Sequence, residues 1–398
     1  MVASQARPGY IFDTDLDDWV PIAGVVDTSQ PYNFNINSTI GGNTIINNSM
    51  PISGFRNLII NGDMQISQRS TSVSNITTTG YYTADRWQLA NNGQGTWTMS
   101  VEDDAPTGSG FKKSTKLICT TADSSPASSD NLLLRQLIEG QNLQNIAKGT
   151  TSAKELSLSF WVKSNITGTY IIEIFDIDNS RQVSKSYTIS SAATWEKKTI
   201  SVPSDIIGML DNDNDSSLTL SFYLGAGSTF TSGTLNTSWQ SNTNANRAVG
   251  QTNLASAINN YWQITGVQLE PGSVFTPFEQ VPVGIELSLC QRYYYKHETA
   301  RYLSSFLDGG SSQYPGIFIY HPVPMRVKPT STFISIGVFY YNSGSATASF
   351  TPSGGATGLD GGVHSGFLFQ GNITNGPGAA HSQKAGQWLV QAAFSAEL

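Results

Sequence analysis

The sequence predicts an all-β fold, an antiparallel sandwich, on three observations. Short segments of alternating apolar and polar residues recur along the chain, and clusters of Ser, Asn, Asp or Gly separate them. Aromatic residues make up 11% of the 398 residues, which is too many for a disordered chain. Charged residues make up only 13%, while glycine is frequent, with 37 residues. An ordered, turn-rich β protein combines these features.

The strand pattern is clearest between residues 156 and 269. Leu156–Val162 places its apolar residues on one face, and Thr169–Phe175 follows after the turn Asn165–Gly168, as in a hairpin. Further segments of this kind are Val183–Ile189, Trp195–Val202, Leu218–Leu224 and Trp262–Leu269. Asn131–Ala147 fits a strand or a helix in its first half, and we favour a strand followed by a short helix after Gly140.

Composition divides the chain into four segments. Residues 1–54 are polar and Asn-rich, so we expect an extended segment that pairs with other chains or a scaffold rather than a core of its own. Residues 55–283 contain the sandwich. Residues 284–296 form a short amphipathic connector of about two helical turns. Residues 297–398 predict a second, smaller β domain.

Charge and hydropathy exclude several classes of protein. The net charge of −7 argues against nucleic-acid binding, which needs a basic face. No apolar run approaches the roughly 20 residues that cross a bilayer, so we expect no membrane insertion. The first residues lack the apolar core of a secretion signal. Two cysteines, Cys119 and Cys290, cannot form a disulfide framework and fit synthesis in a reducing cytoplasm.

Several separate motifs, in one order, resemble a domain of tailed-phage fibre and receptor-binding proteins. They are Asn57–Met64 with Gln68 and Arg69, Tyr82–Trp87, the strand Ser159–Lys163, the closing strand Gly266–Gly272, the connector Glu286–Tyr294 and the segment Pro322–Arg326. The resemblance covers roughly residues 55–335, and the sequence after it matches no family that we can name. It implies a jelly-roll sandwich similar to carbohydrate-binding modules, assembly as a trimeric appendage and a variable tip, but it transfers no catalytic residue.

The resemblance therefore predicts a virion protein, synthesised in the host cytoplasm, that attaches a phage to its host. Residues 1–54 would dock to other tail or fibre proteins, the sandwich would form a homotrimeric body, and residues 297–398 would meet a surface glycan. Two alternatives stay open: a polysaccharide depolymerase or glycoside hydrolase on the same sandwich, and a free bacterial glycan-binding module. A capsid-associated fibre would also fit this sequence.

A glycan site needs exposed aromatic rings beside amides and carboxylates. Trp239 lies in the polar loop Thr231–Ala248, where no strand pattern buries it. In the predicted tip, the candidate rings are Tyr314, Tyr340, Tyr341 and Trp388. For each of these rings, packing under a loop or between subunits is at least as good an interpretation.

The best metal candidate is the run of Asp211, Asp213 and Asp215 with its intervening asparagines. Alternating carboxylate and amide oxygens suit Ca²⁺, and Asp176–Asn179 could add ligands. The run lacks the Gly and Glu of an EF-hand loop, so we favour an acidic solvated turn and expect no cofactor. The four histidines, His297, His321, His364 and His381, show no chelating spacing.

Signals for catalysis are weak. The sequence has no G-x-S-x-G elbow and no phosphate-binding G-x-x-x-x-G-K-[ST] loop. Cys290 is better interpreted as a buried small apolar residue than as a nucleophile. In the motif Asp85-Arg86-Trp87 we expect the two charges to pair and the indole to pack inward. We therefore predict a protein that is not an enzyme, although a pair of glycosidase carboxylates cannot be recognised from sequence.

Overall fold

The structure is a computed structural model. It describes residues 55–297, 320–332 and 392–398 with their side chains, and elsewhere the backbone of the strands named below. The chain divides into two units, Met1–Gly54 and Phe55–Leu398, which we describe separately. In the first unit, β1 (Tyr10–Asp13) pairs with β2 (Asp18–Pro21), and β3 (Ser38–Ile40) pairs with β4 (Asn43–Ile45).

The second unit begins with the strands of a sandwich. In chain order the elements are β5 (Ser72–Ile76), β6 (Gly80–Tyr81), β7 (Gln88–Asn92), β8 (Thr96–Glu102), β9 (Ser114–Thr121), β10 (Asn131–Glu139), β11 (Leu156–Ser164), β12 (Gly168–Asp176), β13 (Arg181–Ile189), β14 (Glu196–Val202), β15 (Ser216–Ala226), α1 (Ser228–Thr231), β16 (Gln240–Ser241) and β17 (Tyr261–Pro271). Single 3₁₀ turns occur at Gly140–Asn142, Gln144–Ile146, Asn244–Asn246 and Leu254–Ser256.

These strands form two antiparallel sheets. The seven-stranded sheet has the order β16-β13-β12-β15-β10-β7-β6, and the six-stranded sheet has the order β14-β11-β17-β9-β8-β5. The predicted all-β jelly-roll sandwich is thus confirmed, with each predicted strand in place. The ambiguous segment is strand β10, followed by two 3₁₀ turns, as favoured from its sequence.

The core lies between the two sheets because each strand turns alternate side chains inward. Leu132 and Leu134 of β10 are fully buried there. The rings of Phe160 and Phe222 meet edge to face, with centroids 5.1 Å apart, and Trp262 packs against Phe222. Cys119 is buried in this core, and Cys290 is buried in the helix described next, both as free thiols.

The helix α2 (Val283–Gln291) follows the sandwich where the sequence predicts about two helical turns. The remaining strands are β18 (Tyr294–His297), β19 (Tyr302–Ser305), β20 (Ile317–Ile319), β21 (Thr330–Ile336), β22 (Ser349–Pro352), β23 (Thr357–Gly358), β24 (Phe367–Phe369), β25 (Gly371–Thr374) and β26 (Gly386–Ser395). β26 pairs with β18, β19 and β21. Among the described residues, no helix combines the length and the apolar character that crossing a membrane requires.

Two of the sequence motifs, more than 200 residues apart, are bonded to each other. Asn57 donates its side-chain N–H to the carbonyl of Val267 (3.1 Å) and accepts the N–H of Leu269 (3.0 Å). The N–H of Val267 donates to the carbonyl of Gly62 (2.9 Å). Residues 57–62 therefore lie along the closing strand β17, and the two motifs form one structural unit.

Arg86 binds a partner that the sequence analysis missed. Trp87 is fully buried, as expected, but the predicted Asp85–Arg86 pair is wrong. The Arg86 guanidinium, also buried, forms an ion pair with Glu397 and lies 3.4 Å over the Tyr293 ring. Burial alone would lower the pKa of Arg86, but the charge of Glu397 keeps it above its ordinary value. The chain end is thereby attached to the sandwich.

Asp85 instead accepts hydrogen bonds from Gln68 and lies 3.7 Å from a guanidinium nitrogen of Arg69. Burial outweighs these contacts and raises the pKa of Asp85 from 3.8 to about 6. The folded protein therefore holds this proton more tightly than the unfolded chain, so the contribution of Asp85 to stability is full below about pH 4 and is lost as the pH rises through 6.

We expect the unfolding free energies of the wild type and Asp85→Asn to differ by an amount that changes with pH. At about 1.4 kcal/mol for each pH unit, the wild type should lose about 2 kcal/mol of unfolding free energy relative to the variant between pH 4 and 7. Urea unfolding of both proteins across this range measures the difference. A difference that stays constant with pH contradicts the raised pKa.

Candidate functional site

The outer face of the seven-stranded sheet carries two rows of side chains across its central strands. Residues paired directly across antiparallel strands share one face. The register aligns Gln88, Arg135, Ser221 and Glu173 in one row, and Leu137, Thr219 and Phe175 in the next. We call the surface formed by Arg135, Leu137, Glu173, Phe175, Thr219 and Ser221 the outer cleft. Its two sides, β10 and β12, are two strand spacings apart, about 10 Å.

The loop after β15 covers one end of this face. Leu133, Ile171 and Tyr223 form a small apolar cluster there, with Phe230 of the loop packed against it. The Ser184 hydroxyl donates to the carbonyl of Arg247 (2.8 Å), which ties the loop to β13. This end of the sheet is therefore closed to solvent.

Residues from α2 and the C-terminal segment lie at the other end. Arg292 forms a two-point ion pair with the buried Glu139, with N–O distances of 2.9 and 2.8 Å. Hydrogen bonding to Arg292 lowers the pKa of Glu139 against the opposing effect of burial. Arg326 reaches the Asp215 carboxylate at 3.2 Å. The outer cleft is the strip that remains between the two covered ends.

Within the outer cleft, short hydroxyls lie between larger side chains. Ser221 and Thr219 are 3% and 5% exposed, because the half-buried side chains of Arg135, Leu137 and Phe175 flank them. Neither hydroxyl has a hydrogen-bond partner among the residues with described side chains, and neither hydroxyl oxygen is completely buried. Both hydroxyls therefore lie below the larger side chains that flank them.

One charge of the outer cleft is neutralised within the protein. Arg247 forms a two-point ion pair with the fully buried Glu173, with both N–O distances 2.7 Å. Burial alone would lower the pKa of Arg247, but the hydrogen bonds and charge of Glu173 raise it. The guanidinium also lies 5.0 Å over the Phe175 ring. This fixed pair shapes one side of the cleft.

The expectation that Trp239 is exposed is wrong. Its ring is 8% exposed and belongs to the main core. The indole N–H donates to the carbonyl of Pro203 (2.9 Å), and the Lys148 ammonium lies 4.9 Å from the ring centroid. The polar loop folds back over the sheet edge, and β16 pairs with β13, which buries the ring although its neighbours in sequence are polar.

The other candidate rings lie mostly beyond the described residues. Tyr314, Tyr340 and Tyr341 are outside them. Trp388 is in β26, where its backbone pairs with Leu303 of β19. Their assignment as ligand-binding residues stays a prediction.

The acidic run follows the pattern of a hydrogen-bonded turn. Asp211, Asp213 and Asp215 are exposed. The Asp213 carboxylate accepts the N–H of Asp215 (3.0 Å), and the N–H of Asp211 donates to the Asp178 carboxylate (2.9 Å). Among the described side chains, no group of three acidic, histidine or cysteine residues is arranged to hold a metal ion. Calcium binding here stays an untested prediction.

A pocket of about 200 Å³ lies between residues 55–63, β10 and α2, and Leu137 belongs both to it and to the outer cleft. Glu286 and Asp63 line it, and burial raises the pKa of both carboxyls. Glu286 accepts the N–H of Asn61 from across the pocket. This contact joins α2 to the first motif, so the pocket adjoins the junction between connector and sandwich.

The sequence analysis missed Arg135, although a signal for it exists. The strand reads Asn-Leu-Leu-Leu-Arg-Gln-Leu-Ile-Glu, with a charged residue between Leu133 and Leu137 on its outer face. A charge in the middle of a central strand is unusual.

No model of a known protein family matches the sequence, and no curated protein matches it. Solved structures do resemble it. The enzymatically active domain of tailspike protein 4 from bacteriophage CBA120 is 15% identical, with a TM-score of 0.31; the match covers 55% of this chain and 22% of the tailspike chain.

Two carbohydrate-binding modules are similar to a comparable extent. TmCBM61, solved with β-1,4-galactotriose, is 11% identical with a TM-score of 0.28, and the match covers 55% of this chain and 99% of the module. The family 11 module of Clostridium thermocellum, solved with a β-1,3-1,4-mixed-linked tetrasaccharide, is 11% identical with a TM-score of 0.25; the match covers 52% of this chain and 98% of the module.

Proposed function

We propose that the protein is the host-attachment subunit of a tailed-phage appendage, which binds a surface glycan in the outer cleft without cleaving it. The observation that carries the proposal is the outer cleft itself, in which half-buried apolar side chains flank hydroxyls that have no hydrogen-bond partner among the described residues. Sugars present both apolar C–H faces and hydroxyl groups, so a glycan site must offer both kinds of contact. The sequence resemblance to phage fibre domains supports the virion location.

Assembly would supply the strength of attachment. We propose a homotrimer that docks to other virion proteins through residues 1–54. A weak contact in each subunit then gains avidity when several subunits bind one surface. Light scattering of the full chain should give three times the monomer mass, whereas a monomer at all concentrations contradicts this part of the proposal.

Glycan binding is tested with the full chain on an array of neutral and acidic bacterial oligosaccharides. Phe175→Ala should weaken binding about fivefold, because it removes apolar contact worth about 1 kcal/mol. Phe275→Ala is the matched control, since Phe275 is 38% exposed and lies outside the cleft. Thermal melting of both variants confirms that they fold.

Three results would contradict the proposal. Equal binding by both phenylalanine variants would exclude the outer cleft. Binding to no glycan would exclude the function. Release of soluble oligosaccharide from host polysaccharide by the purified protein would favour a depolymerase instead.

A further inference from the structure

The outer cleft contains a cation, Arg135, that forms no ion pair among the described side chains. Arg135 is half-buried at the centre of the face. Its Nε donates to the Gln88 side-chain oxygen (2.7 Å), and its two terminal nitrogens have no hydrogen-bond partner among the described residues. The ion pairs of the described side chains do not include Arg135. Two parallel N–H donors therefore remain available on this side of the cleft.

The buried carboxylates of Glu173 and Glu397 are already bound by other arginines. Glu173 lies in the same row but forms its two-point pair with Arg247. Glu397 is shared by Arg69 and Arg86. Burial lowers the pKa of Arg135; of the surrounding groups, Tyr81, Tyr223 and Glu173 raise it and Arg247 lowers it. A bound anion would stabilise the charged form of the guanidinium.

We propose that the outer cleft binds an acidic glycan, with the carboxylate of a uronic-acid residue paired to Arg135. This inference rests on the proposed glycan-binding function and names its ligand class. A planar carboxylate accepts two parallel N–H bonds from one guanidinium, and such charge-assisted pairs are the strong ones.

The rest of the cleft fits the remainder of a uronic-acid residue. The hydroxyls of Ser221 and Thr219, on the neighbouring strand β15, would contact the sugar hydroxyls. Leu137 and Phe175 lie on either side of Thr219 in the register and present apolar surface to the C–H face of the ring. The whole chain carries a net charge of −7, so the positive charge of Arg135 is local to the outer cleft.

Calorimetric titration of the full chain tests the inference with tetragalacturonate and with its methyl ester, which lacks the charge. The wild type should bind the free acid at least about tenfold more tightly than the ester. Arg135→Gln should abolish this preference, and Arg135→Lys should restore part of it, because lysine keeps the charge but loses the fork. Lys112→Gln, an exposed charge outside the cleft, should leave the preference unchanged.

The outcomes separate this inference from the proposed function. If array binding is confined to neutral glycans, or if Arg135→Gln keeps the preference for the acid, the assignment of an acidic ligand is wrong while glycan binding stands. Binding only to phosphate- or sulfate-bearing glycans also overturns the carboxylate. If no glycan binds, the proposed function itself fails. Melting curves and the binding of the Arg135→Lys variant distinguish a lost contact in Arg135→Gln from a loss of folding.

Discussion

Glu397→Ala is expected to lower the free energy of unfolding by about 3–5 kcal/mol. The substitution leaves the guanidinium of Arg86, whose side chain is 1% exposed, without its counter-charge. It also removes the second ion pair of Glu397, with Arg69, at 2.9 Å. A buried charge without a partner is among the largest single destabilising changes. Urea unfolding of the full chain measures the loss.

A surface ion pair provides the control. Lys113 and Asp103 have side chains that are 36% and 83% exposed, so Asp103→Ala should change stability by no more than about 1 kcal/mol. If Glu397→Ala costs no more than Asp103→Ala, then Glu397 does not fasten the chain end to the sandwich, and our account of Arg86 is wrong.

Gly62→Ala is the second substitution with a large expected effect, about 3 kcal/mol or more. A Cβ atom at residue 62 would lie 2.1 Å from the carbonyl oxygen of Val267. Because that contact is with backbone, the first motif would have to move away from β17 and break the hydrogen bond between Val267 and Gly62. Thermal melting should show the loss directly.

Gly284→Ala is the matched control for this prediction. No atom lies within 4 Å of the position of its Cβ, and the residue belongs to α2. Alanine there should leave stability unchanged or raise it by up to about 1 kcal/mol. Equal melting temperatures for the two variants would mean that stability does not depend on the close contact between Gly62 and β17.

The strands were predictable because their signal is local. Leu158 and Phe160 of β11 alternate with serines in the sequence itself, so their sheet face could be inferred before any pairing was known. In β10 the run Leu132–Leu134 hides such an alternation, and only the strand pairing places Arg135 on the outer face. The sequence could not show which strands flank it, and therefore could not show that Ser221 and Glu173 lie in its row.

Contacts between distant residues explain what the sequence analysis missed. The partner of Arg86 is 311 positions away, whereas Asp85 is adjacent and attracted the prediction. Trp239 has polar neighbours in sequence, but its burial is decided by Pro203 and Lys148, which the fold brings to it. Such contacts depend on register and connection order, which no short segment encodes.

The pairing of β21 with β26 has a consequence for how the chain can diversify. Ile336 of β21 is paired with Val390 of β26, so the chain leaves and re-enters this sheet at neighbouring positions. With both ends fixed together, doubling the length between them adds only about 0.6 kcal/mol of closure entropy. Changes in the length of the stretch between these strands should therefore cost little stability and leave the pairing of β21 with β26 intact.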